Sequence, residues 1–247
     1  MLKYFIRILL QNFIILWCIL GCSTPYMVGY DMVEINSNIK NSEKIDSLIV
    51  PYKNIIDLEM NTLIGYSNVS MTTSFPEGLL GNFVSDVMLD SISKLYPHHN
   101  MFSLVNNGGL RRSLPEGKIT KGLIFEIAPF ENEIVILELD STLISQLADY
   151  LINGDEMAIA GGQFVFSGKN PSQIKINNQP INSLSAYFLI TVDYLANGGS
   201  NMNFLKNAKH RIDTGIKLRD LLIESILSQY ARGKSVYSQK DGRIQIN

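Results

Sequence analysis

The stretch PEGLLGNFVSDVMLDSISKLYPHHNMFSLVNNGGLR, residues 76–111, carries a helix signal, a stop signal and a strand signal in succession. From Leu79 to Leu95, apolar side chains recur every three or four residues, which is the spacing of one helix face. Pro97 follows soon after and cannot continue a helix. The apolar run Met101–Val105 then predicts a buried strand that ends at a glycine-containing loop. The stretch therefore predicts a helix packed on a sheet, with a polar loop at a strand end.

Further helix and strand patterns follow along the rest of the chain. Helical spacing recurs over Leu143–Leu151 and over Ile216–Leu227, and Asp213 and Thr214 are candidate N-caps of the second helix. Runs rich in β-formers and bounded by Gly, Asn and Pro clusters predict further strands. These strands are Glu133–Leu139, Gln163–Phe166, Gln173–Ile176 and Tyr187–Val192. The mixture predicts an α+β fold in which helices cover sheets and polar loops lie at strand ends.

The loop after the first predicted strand, Asn106–Arg111, is called the amide loop below. Paired glycines, Gly108 and Gly109, allow a backbone to approach a ligand closely, while the Asn106 amide and the Arg111 guanidinium offer directional hydrogen bonds. Taken alone, the loop is equally explained as a turn with a solvated arginine.

Two later segments combine an aromatic side chain with turn residues. The aromatic loop, Ala128–Asn132, places Phe130 after a proline and before Asn132. The tyrosine segment, Asp193–Ser200, places Tyr194 before a glycine pair at the end of a predicted strand. A core phenylalanine and ordinary turn chemistry explain each segment when it is considered singly.

Composition narrows the class of protein. The chain has 247 residues, 46% apolar and 18% charged, which suits one sizeable globular domain, or a domain with an anchor and a linker. Its 21 Lys and Arg against 23 Asp and Glu leave a net charge of -2, without a long run of one sign. A protein that coats nucleic acid would need a basic stripe, so nucleic acid is excluded as the expected partner.

The first residues resemble a bacterial lipoprotein signal. A short positive start precedes an apolar stretch that ends in Ile19-Leu20-Gly21-Cys22, which is similar to a lipobox. We therefore expect residues 1–21 to be a signal peptide, Cys22 to carry lipid, residues 22–41 to be a tether and residues 42–247 to be the domain. An ordinary signal peptide and an uncleaved anchor are the alternatives. The lipid would hold the protein at a membrane of the bacterial cell envelope, expected to be the outer membrane facing the periplasm.

The order of these segments resembles the C-terminal domain of 5'-nucleotidases and bacterial UDP-sugar hydrolases. In that family, a stretch similar to Glu77–Asn82 opens a major helix and is followed by loops similar to the amide loop, the aromatic loop and the tyrosine segment. The stretch Asp213–Asp220 also resembles the start of the family's closing helix. The resemblance covers about residues 42–247 and implies a layered α/β/β/α domain of the α+β class.

The resemblance implies a substrate-binding role for residues in each segment. Phe130 and Tyr194 would hold a nucleobase between their rings, and stacking of this kind contributes about 1–3 kcal/mol per base in nucleic-acid binders. Asn106 and Asn132 would donate or accept hydrogen bonds at base or ribose, and Arg111 would reach the ribose or phosphate. The resemblance also implies close backbone approach at the paired glycines.

Two departures from the family pattern affect the expected ligand. Family members usually carry arginines that face phosphate where this chain has Thr73-Ser74-Phe75-Pro76. The acidic residue that often follows the Asn-Gly-Gly and binds ribose is Ser200 here, and its hydroxyl would still bind the substrate, but more weakly than a carboxylate. We therefore expect base or nucleoside recognition to be retained better than phosphate recognition.

The family's hydrolytic chemistry uses two metal ions in a separate N-terminal domain. The three histidines of this chain, His98, His99 and His210, form no metal-ligand motif, and no catalytic residue and no cofactor are expected in the chain itself. The resemblance therefore suggests a non-catalytic half that works with a separate metallophosphatase chain carrying the divalent metals. A stand-alone nucleoside- or nucleotide-binding lipoprotein and a structural domain with a decayed site are the other hypotheses, and autonomous hydrolysis is the least favoured.

Overall fold

The computed structural model describes the whole chain after residue 41 and a few residues before it. The described residues are Tyr4, Ile6, Met32, 34–36, 39–40 and 42–247. The expected lipidation site, Cys22, lies outside them, as do most residues of the expected signal peptide and tether. The chain divides into two compact units, residues 1–48 and 49–247, and all the described strands lie in the second. Within the described part, no helix has the length and apolar character that crossing a membrane requires.

The domain alternates helices and strands. The helices are α1 (Glu43–Met60), α2 (Leu79–Leu95), α3 (Lys121–Ile127), α4 (Ser141–Asn153), α5 (Asp193–Ala196) and α6 (Leu218–Ala231). The strands are β1 (Leu63–Ser67), β2 (Met101–Asn106), β3 (Gly117–Thr120), β4 (Glu133–Leu139), β5 (Met157–Ala160), β6 (Gly162–Ser167), β7 (Asn170–Ile176), β8 (Gln179–Pro180), β9 (Tyr187–Val192), β10 (His210–Lys217) and β11 (Ile244–Ile246). This mixed architecture confirms the predicted α+β class.

A five-stranded sheet in the order β10-β4-β9-β2-β5 forms the centre of the domain. The neighbouring strands β9 and β2 run parallel, and every other neighbouring pair in this sheet is antiparallel. A four-stranded sheet, β11-β6-β7-β8, and the pair β1-β3 complete the described strands. The predicted strands Glu133–Leu139 and Tyr187–Val192 have the boundaries seen in the structure.

Helix α2 packs against the central sheet through the apolar face that the sequence predicts. It spans Leu79–Leu95, as predicted, and contacts β2 and β5. The side chains that recur at helical spacing and are buried are Leu80, Val84, Val87, Met88 and Ile92. Burial of each such side chain stabilises the fold by roughly 1.5–3 kcal/mol relative to leaving it exposed, so this face anchors the sheet edge from which the loops extend.

The prediction of a helix beginning at Ile216 with caps at Asp213 and Thr214 is wrong. Residues His210–Lys217 form β10, which pairs with β4, and α6 begins only at Leu218. The Thr214 hydroxyl donates to the Ile134 carbonyl at 2.6 Å instead of capping the helix. Pairing with a neighbouring strand therefore outweighs the local capping pattern.

A polar cluster fastens the end of the chain to α2, and we call it the C-terminal clamp: Glu77, Asn82, Asp86, Asp241 and Arg243. The Glu77 carboxylate accepts hydrogen bonds from Asn82 Nδ2 at 2.6 Å and from the Asp241 and Gly242 amides, each at 2.9 Å. Arg243 donates to both oxygens of Asp86, at 2.8 and 2.9 Å. Burial lowers the pKa of Arg243, but Asp86 and Asp241 more than offset this effect and raise it. The clamp gives the Glu77–Asn82 stretch a structural role.

Candidate functional site

The topology of the central sheet brings the three predicted segments to one edge. The amide loop begins at the last residue of β2, and the tyrosine segment follows β9, which runs parallel to β2. The aromatic loop leads into β4, which is antiparallel to β9 with Ile134 opposite Val192. Ends of parallel neighbours and the start of an antiparallel neighbour meet at the same edge. Segments far apart in sequence therefore become neighbours in space.

Two backbone hydrogen bonds hold the ends of the aromatic loop. One links the amide loop to Ile127, just before the aromatic loop, and the other links the start of α6 to Asn132. The Arg111 amide donates to the Ile127 carbonyl at 2.8 Å, and the Leu218 amide donates to the Asn132 carbonyl at 3.0 Å. These bonds hold the aromatic loop from two sides, so its position depends on both neighbours.

Asp193 joins the aromatic loop to the tyrosine segment. One oxygen of its carboxylate accepts from the Tyr194 amide at 2.8 Å and from the Glu133 amide at 3.2 Å. Because Glu133 directly follows the aromatic loop, this bond fixes the spacing of the two segments that carry Phe130 and Tyr194. Asp193 is a positioning residue that the sequence analysis did not single out.

A small cavity brings four of the predicted ligand-binding residues together. Its volume is about 10 Å³, and its lining includes Asn106, Gly109, Phe130 and Asn132. Asn106 is only 8% exposed, and its side-chain oxygen has no hydrogen-bond partner. Buried polar atoms are normally paired, so this acceptor could receive a donor from a bound molecule; the cavity itself has room for about one water molecule, and a larger ligand would lie over it. A side chain at Gly109 would place its Cβ 3.1 Å from this oxygen, which explains why glycine suits the position.

Phe130 and Tyr194 lie at the surface. Phe130 is 49% exposed, so its interpretation as a core residue is wrong, and Tyr194 is 47% exposed. The Tyr194 hydroxyl accepts a hydrogen bond from the Ser200 amide at 3.1 Å, which folds the ring back over its own segment. A Cβ at Gly199 would lie 2.5 Å from Tyr194 Cζ. The ring can hold this place only because that position is glycine.

The remaining predicted residues lie outside the lining of the small cavity. Gly108 and Arg111 are exposed, and Arg111 Nη1 donates to the Gly108 carbonyl at 3.2 Å. Within the described residues, Arg111 forms no ion pair, so its charge is available to an anion. The Ser200 carbonyl accepts from the Tyr150 hydroxyl at 2.6 Å. The ligand contacts assigned to all these residues stay predictions.

The buried side chain of Arg219 holds the aromatic loop in place, a role that the sequence patterns did not predict. Its buried guanidinium bonds to the Glu131 carboxylate and to the carbonyls of Ala128 and Pro129, at 3.4 and 3.3 Å. It also lies 4.1 Å from the centre of the Phe125 ring, a cation–π contact. No local pattern signals this contact, because the arginine lies nearly ninety residues beyond the loop.

Glu131 is shared between Arg219 and a second cation. Lys217 also bonds to its carboxylate. The hydrogen bond from Lys217, followed by that from Arg219, lowers the pKa of Glu131, while Glu131 raises the pKa of Lys217. The residue next to Phe130 is therefore held in its charged form by two cations.

The histidines lie apart from these segments. His98 stacks on Phe188 with ring centres 4.1 Å apart, and His210 Nε2 lies 3.8 Å from a Glu138 oxygen. Over the described part of the chain, no three or more His, Cys, Asp or Glu side chains gather into a group that could hold a metal ion.

Known proteins resemble this chain over most of its length. Relatives include the trifunctional nucleotide phosphoesterase YfkN of Bacillus subtilis, 22% identical over 87% of this chain and 16% of the relative. The protein UshA of Escherichia coli is 22% identical over 82% of this chain and 38% of the relative. The human 5'-nucleotidase is 21% identical over 75% of this chain and 36% of the relative. The chain thus spans less than half the length of these relatives.

Solved structures show the same fold. The 5'-nucleotidase precursor of Thermus thermophilus superposes with a TM-score of 0.70 and 23% identity, covering 81% of this chain and 42% of that one. The NAD nucleotidase of Haemophilus influenzae superposes with a TM-score of 0.64 and 18% identity, covering 83% and 41%.

A sequence profile identifies the family directly. The profile described as "5'-nucleotidase, C-terminal domain" matches residues 60–207, which include the end of α1, the helix α2 and all three predicted ligand segments. With this match, the chain belongs to the family of 5'-nucleotidase C-terminal domains.

Proposed function

We propose that this chain recognises a nucleotide or nucleoside and is the non-catalytic half of a split phosphohydrolase in nucleotide catabolism. One observation carries the proposal: two half-exposed rings, Phe130 and Tyr194, stand on segments joined through Asp193, and Phe130 lines the same small cavity as Asn106, whose buried side-chain oxygen has no partner. A flat aromatic ring can stack on any nucleobase, because every base has a π-face. An unpaired acceptor favours a ligand that carries a hydrogen-bond donor.

The phosphate side of the site has less support. Arg111 carries an unpaired charge in the amide loop, while Thr73–Pro76 contributes no cation. We therefore expect adenosine and AMP to bind with similar affinity, within about tenfold, because a single exposed arginine adds one charge-assisted contact at most.

Titration calorimetry of the purified chain with adenosine tests the recognition proposal. We expect Phe130→Ala to weaken binding by about tenfold or more, because a stacking face is lost. Tyr237→Ala removes an exposed aromatic from the groove between α2 and α6, away from the ligand segments, and serves as the matched control. Absence of binding by the wild type at millimolar adenosine, or equal affinities of wild type and Phe130→Ala, contradicts the proposal.

The surface that would meet a metallophosphatase partner is the exposed side of α1. No described side chain of this helix is buried, and Ile49, Tyr52, Ile55 and Ile56 expose apolar surface along one side within the second unit. The helix lies before the main body of the family match, which is where a C-terminal domain would adjoin the rest of its enzyme. Contiguous exposed apolar surface is typical of protein interfaces.

Mixing tests the split enzyme. We expect the full chain to raise AMP hydrolysis by a separately purified metallophosphatase from the same envelope above the rate of that protein alone. The double variant Tyr52→Asp, Ile56→Asp would remove the stimulation, whereas Asn54→Ala, a polar position on the same helix, would leave it unchanged. Purely additive rates would contradict the partner proposal while leaving ligand recognition intact.

We also propose that Cys22 is lipidated and anchors the protein in the bacterial cell envelope, at the outer membrane facing the periplasm. The apolar segment ending in Gly21-Cys22 supports this. Labelling of cells with a radioactive fatty acid should mark the wild type, and Cys22→Ala should remove the label. A labelled Cys22→Ala variant would overturn the assignment.

A further inference from the structure

Another pocket adjoins the tyrosine segment, and we call it the Lys206 pocket. Its volume is about 270 Å³, and its lining includes Leu137, Ala196, Asn197, Leu205, Lys206 and Arg211. None of its lining residues also lines the small cavity, so the two sites are separate. A water molecule takes roughly 30 Å³ in the liquid, so the pocket has space for an organic molecule of about eight non-hydrogen atoms.

The base of the Lys206 pocket is apolar. Leu137, Ala196 and Leu205 are all buried, and their side chains carry only hydrocarbon. This part of the lining therefore offers no side-chain hydrogen bond to a bound molecule. It favours a ligand with a hydrocarbon body, because such a contact removes apolar surface from water.

The ammonium group of Lys206 brings a positive charge that the protein leaves unneutralised. Its Nζ donates to Asn203 Oδ1 at 2.9 Å, and Lys206 forms no ion pair within residues 42–247. Nζ lies beside the turn at Gly198, where an added Cβ would be 2.9 Å from it. An ammonium group has three N–H donors, so two remain for a ligand.

Arg211 brings a second cation to the same lining. Its Nε donates to Asp213 Oδ1 at 2.8 Å, its Nη2 lies 2.7 Å from the same oxygen, and its Nη1 donates to Asn197 Oδ1 at 2.7 Å. These contacts use at most three of the five guanidinium N–H groups. Asp213 balances the charge of Arg211, and no carboxylate belongs to the lining itself, so the pocket has one positive charge in excess.

The excess charge and the apolar base together select a chemical class of ligand. A multiply charged anion would bring uncompensated charge against apolar side chains, and a cation would be repelled by Lys206. A single carboxylate matches the excess charge and accepts hydrogen bonds from an ammonium and a guanidinium. A short hydrocarbon chain attached to it would cover Leu137 and Leu205.

We propose that the Lys206 pocket binds a small aliphatic monocarboxylate of about six carbon atoms, with its carboxylate bonded to Lys206 and Arg211. Both cations also contact the turn after α5, at Asn197 and Gly198, so the ligand would be bound by side chains that position the tyrosine segment. The proposal is independent of nucleoside recognition, because it requires no nucleoside in the protein.

Two-dimensional NMR of the full ¹⁵N-labelled chain, titrated with sodium hexanoate at constant ionic strength, tests the proposal. We expect saturable shifts of the Asn197, Gly198 and Lys206 amides with a Kd of about 1 mM, which is reasonable for a ligand of this size. Hexanol has the chain without the charge, and sulfate has charge without the chain, so each should bind at least about tenfold more weakly.

Three variants locate the binding. Lys206→Met keeps the stem but removes the ammonium, and it should weaken hexanoate by about tenfold. Ala208→Leu fills a lining position without changing the charge, and it should weaken hexanoate by at least as much. Lys209→Met alters an exposed lysine outside the lining and should bind hexanoate as the wild type does.

Each contrary result overturns the proposal in a recognisable way. Absence of saturable shifts with hexanoate would show that the pocket is an ordinary solvated depression of the surface. Hexanol or sulfate binding as tightly as hexanoate would remove the carboxylate or the chain from the assignment. Unchanged affinity in Lys206→Met or in Ala208→Leu, or an equal loss in Lys209→Met, would place the binding elsewhere.

Discussion

The C-terminal clamp and the predicted ligand segments (the amide loop, the aromatic loop and the tyrosine segment) both carry polar side chains. They differ in how completely the hydrogen-bonding groups of those side chains are paired. In the clamp, Glu77 accepts from three donors and Arg243 bonds to two carboxylates. Among the ligand segments, Asn106 leaves a buried oxygen unpaired, and two aromatic rings face solvent. A completed network stabilises the fold, whereas an incomplete one is a place where a bound molecule would supply the missing partner.

The largest effect should come from breaking the clamp. Glu77→Ala leaves the amides of Asp241 and Gly242 and the Asn82 side chain without their acceptor, so we expect a loss of about 3 kcal/mol in the free energy of unfolding. Urea denaturation measures it, and Glu116→Ala, at an exposed glutamate, should be nearly neutral.

The adenosine affinity of Glu77→Ala sharpens the comparison. Since the clamp lies outside the ligand segments, we expect the folded variant to bind adenosine within about threefold of the wild type. A variant that stays folded but loses binding would show that the two regions are not separable.

An intermediate effect should follow removal of the guanidinium beneath the aromatic loop. Arg219→Met keeps apolar volume over Phe125 but loses the bonds to the loop carbonyls and to Glu131, so we expect a loss of about 2 kcal/mol in the free energy of unfolding. Adenosine binding should weaken as well, because Phe130 is no longer held. Glu131→Gln removes only the exposed partner and should cost clearly less than Arg219→Met. Equal costs for the two variants would contradict the role of the backbone bonds.

A smaller effect is expected when the Tyr194 hydroxyl is removed and its ring is kept. Tyr194→Phe loses the bond to the Ser200 amide, which should lower the free energy of unfolding by about 1 kcal/mol and leave adenosine affinity within about threefold. Tyr194→Ala should weaken adenosine by about tenfold, because the stacking face is removed. If Tyr194→Phe binds as poorly as Tyr194→Ala, the hydroxyl rather than the ring governs the site.

Sequence patterns predict those helices and strands whose boundaries depend on their own apolar spacing. The apolar period of α2 and the β-rich runs of β4 and β9 gave correct boundaries, because each element buries one continuous face. The start of α6 was misplaced because β10 pairs with β4 across residues that resemble a helix cap. For the candidate site, turn residues and aromatics pointed to three segments that the central sheet brings to one edge, and their ligand contacts stay predictions. Their links through Asp193, Arg219 and Tyr150 were not predictable, because each joins residues at least fifty positions apart.

The smallest expected effects are on the pH dependence of stability. The contributions of the two regions to the free energy of unfolding should change in opposite directions as the pH falls. The bonds from Lys217 and Arg219 lower the pKa of Glu131 in the aromatic loop, whereas burial raises the pKa of Asp86 in the clamp despite its bonds to Arg243. A lowered carboxyl pKa stabilises the fold above the unfolded value, about 4.3 for Glu, and this contribution is lost as the pH falls through the folded pKa. A raised pKa acts in the opposite direction, because the folded state then binds the proton more readily and gains stability on acidification.

Denaturation of the wild type, Glu131→Gln and Asp86→Asn between pH 7 and pH 3 measures both signs. As the pH falls, the stability advantage of the wild type over Glu131→Gln should shrink, whereas its advantage over Asp86→Asn should grow. Added salt should flatten the Glu131 profile more, since that carboxylate is the more exposed of the two. Two profiles that slope the same way would mean that the completed clamp and the open ligand segments do not differ in how they hold charge.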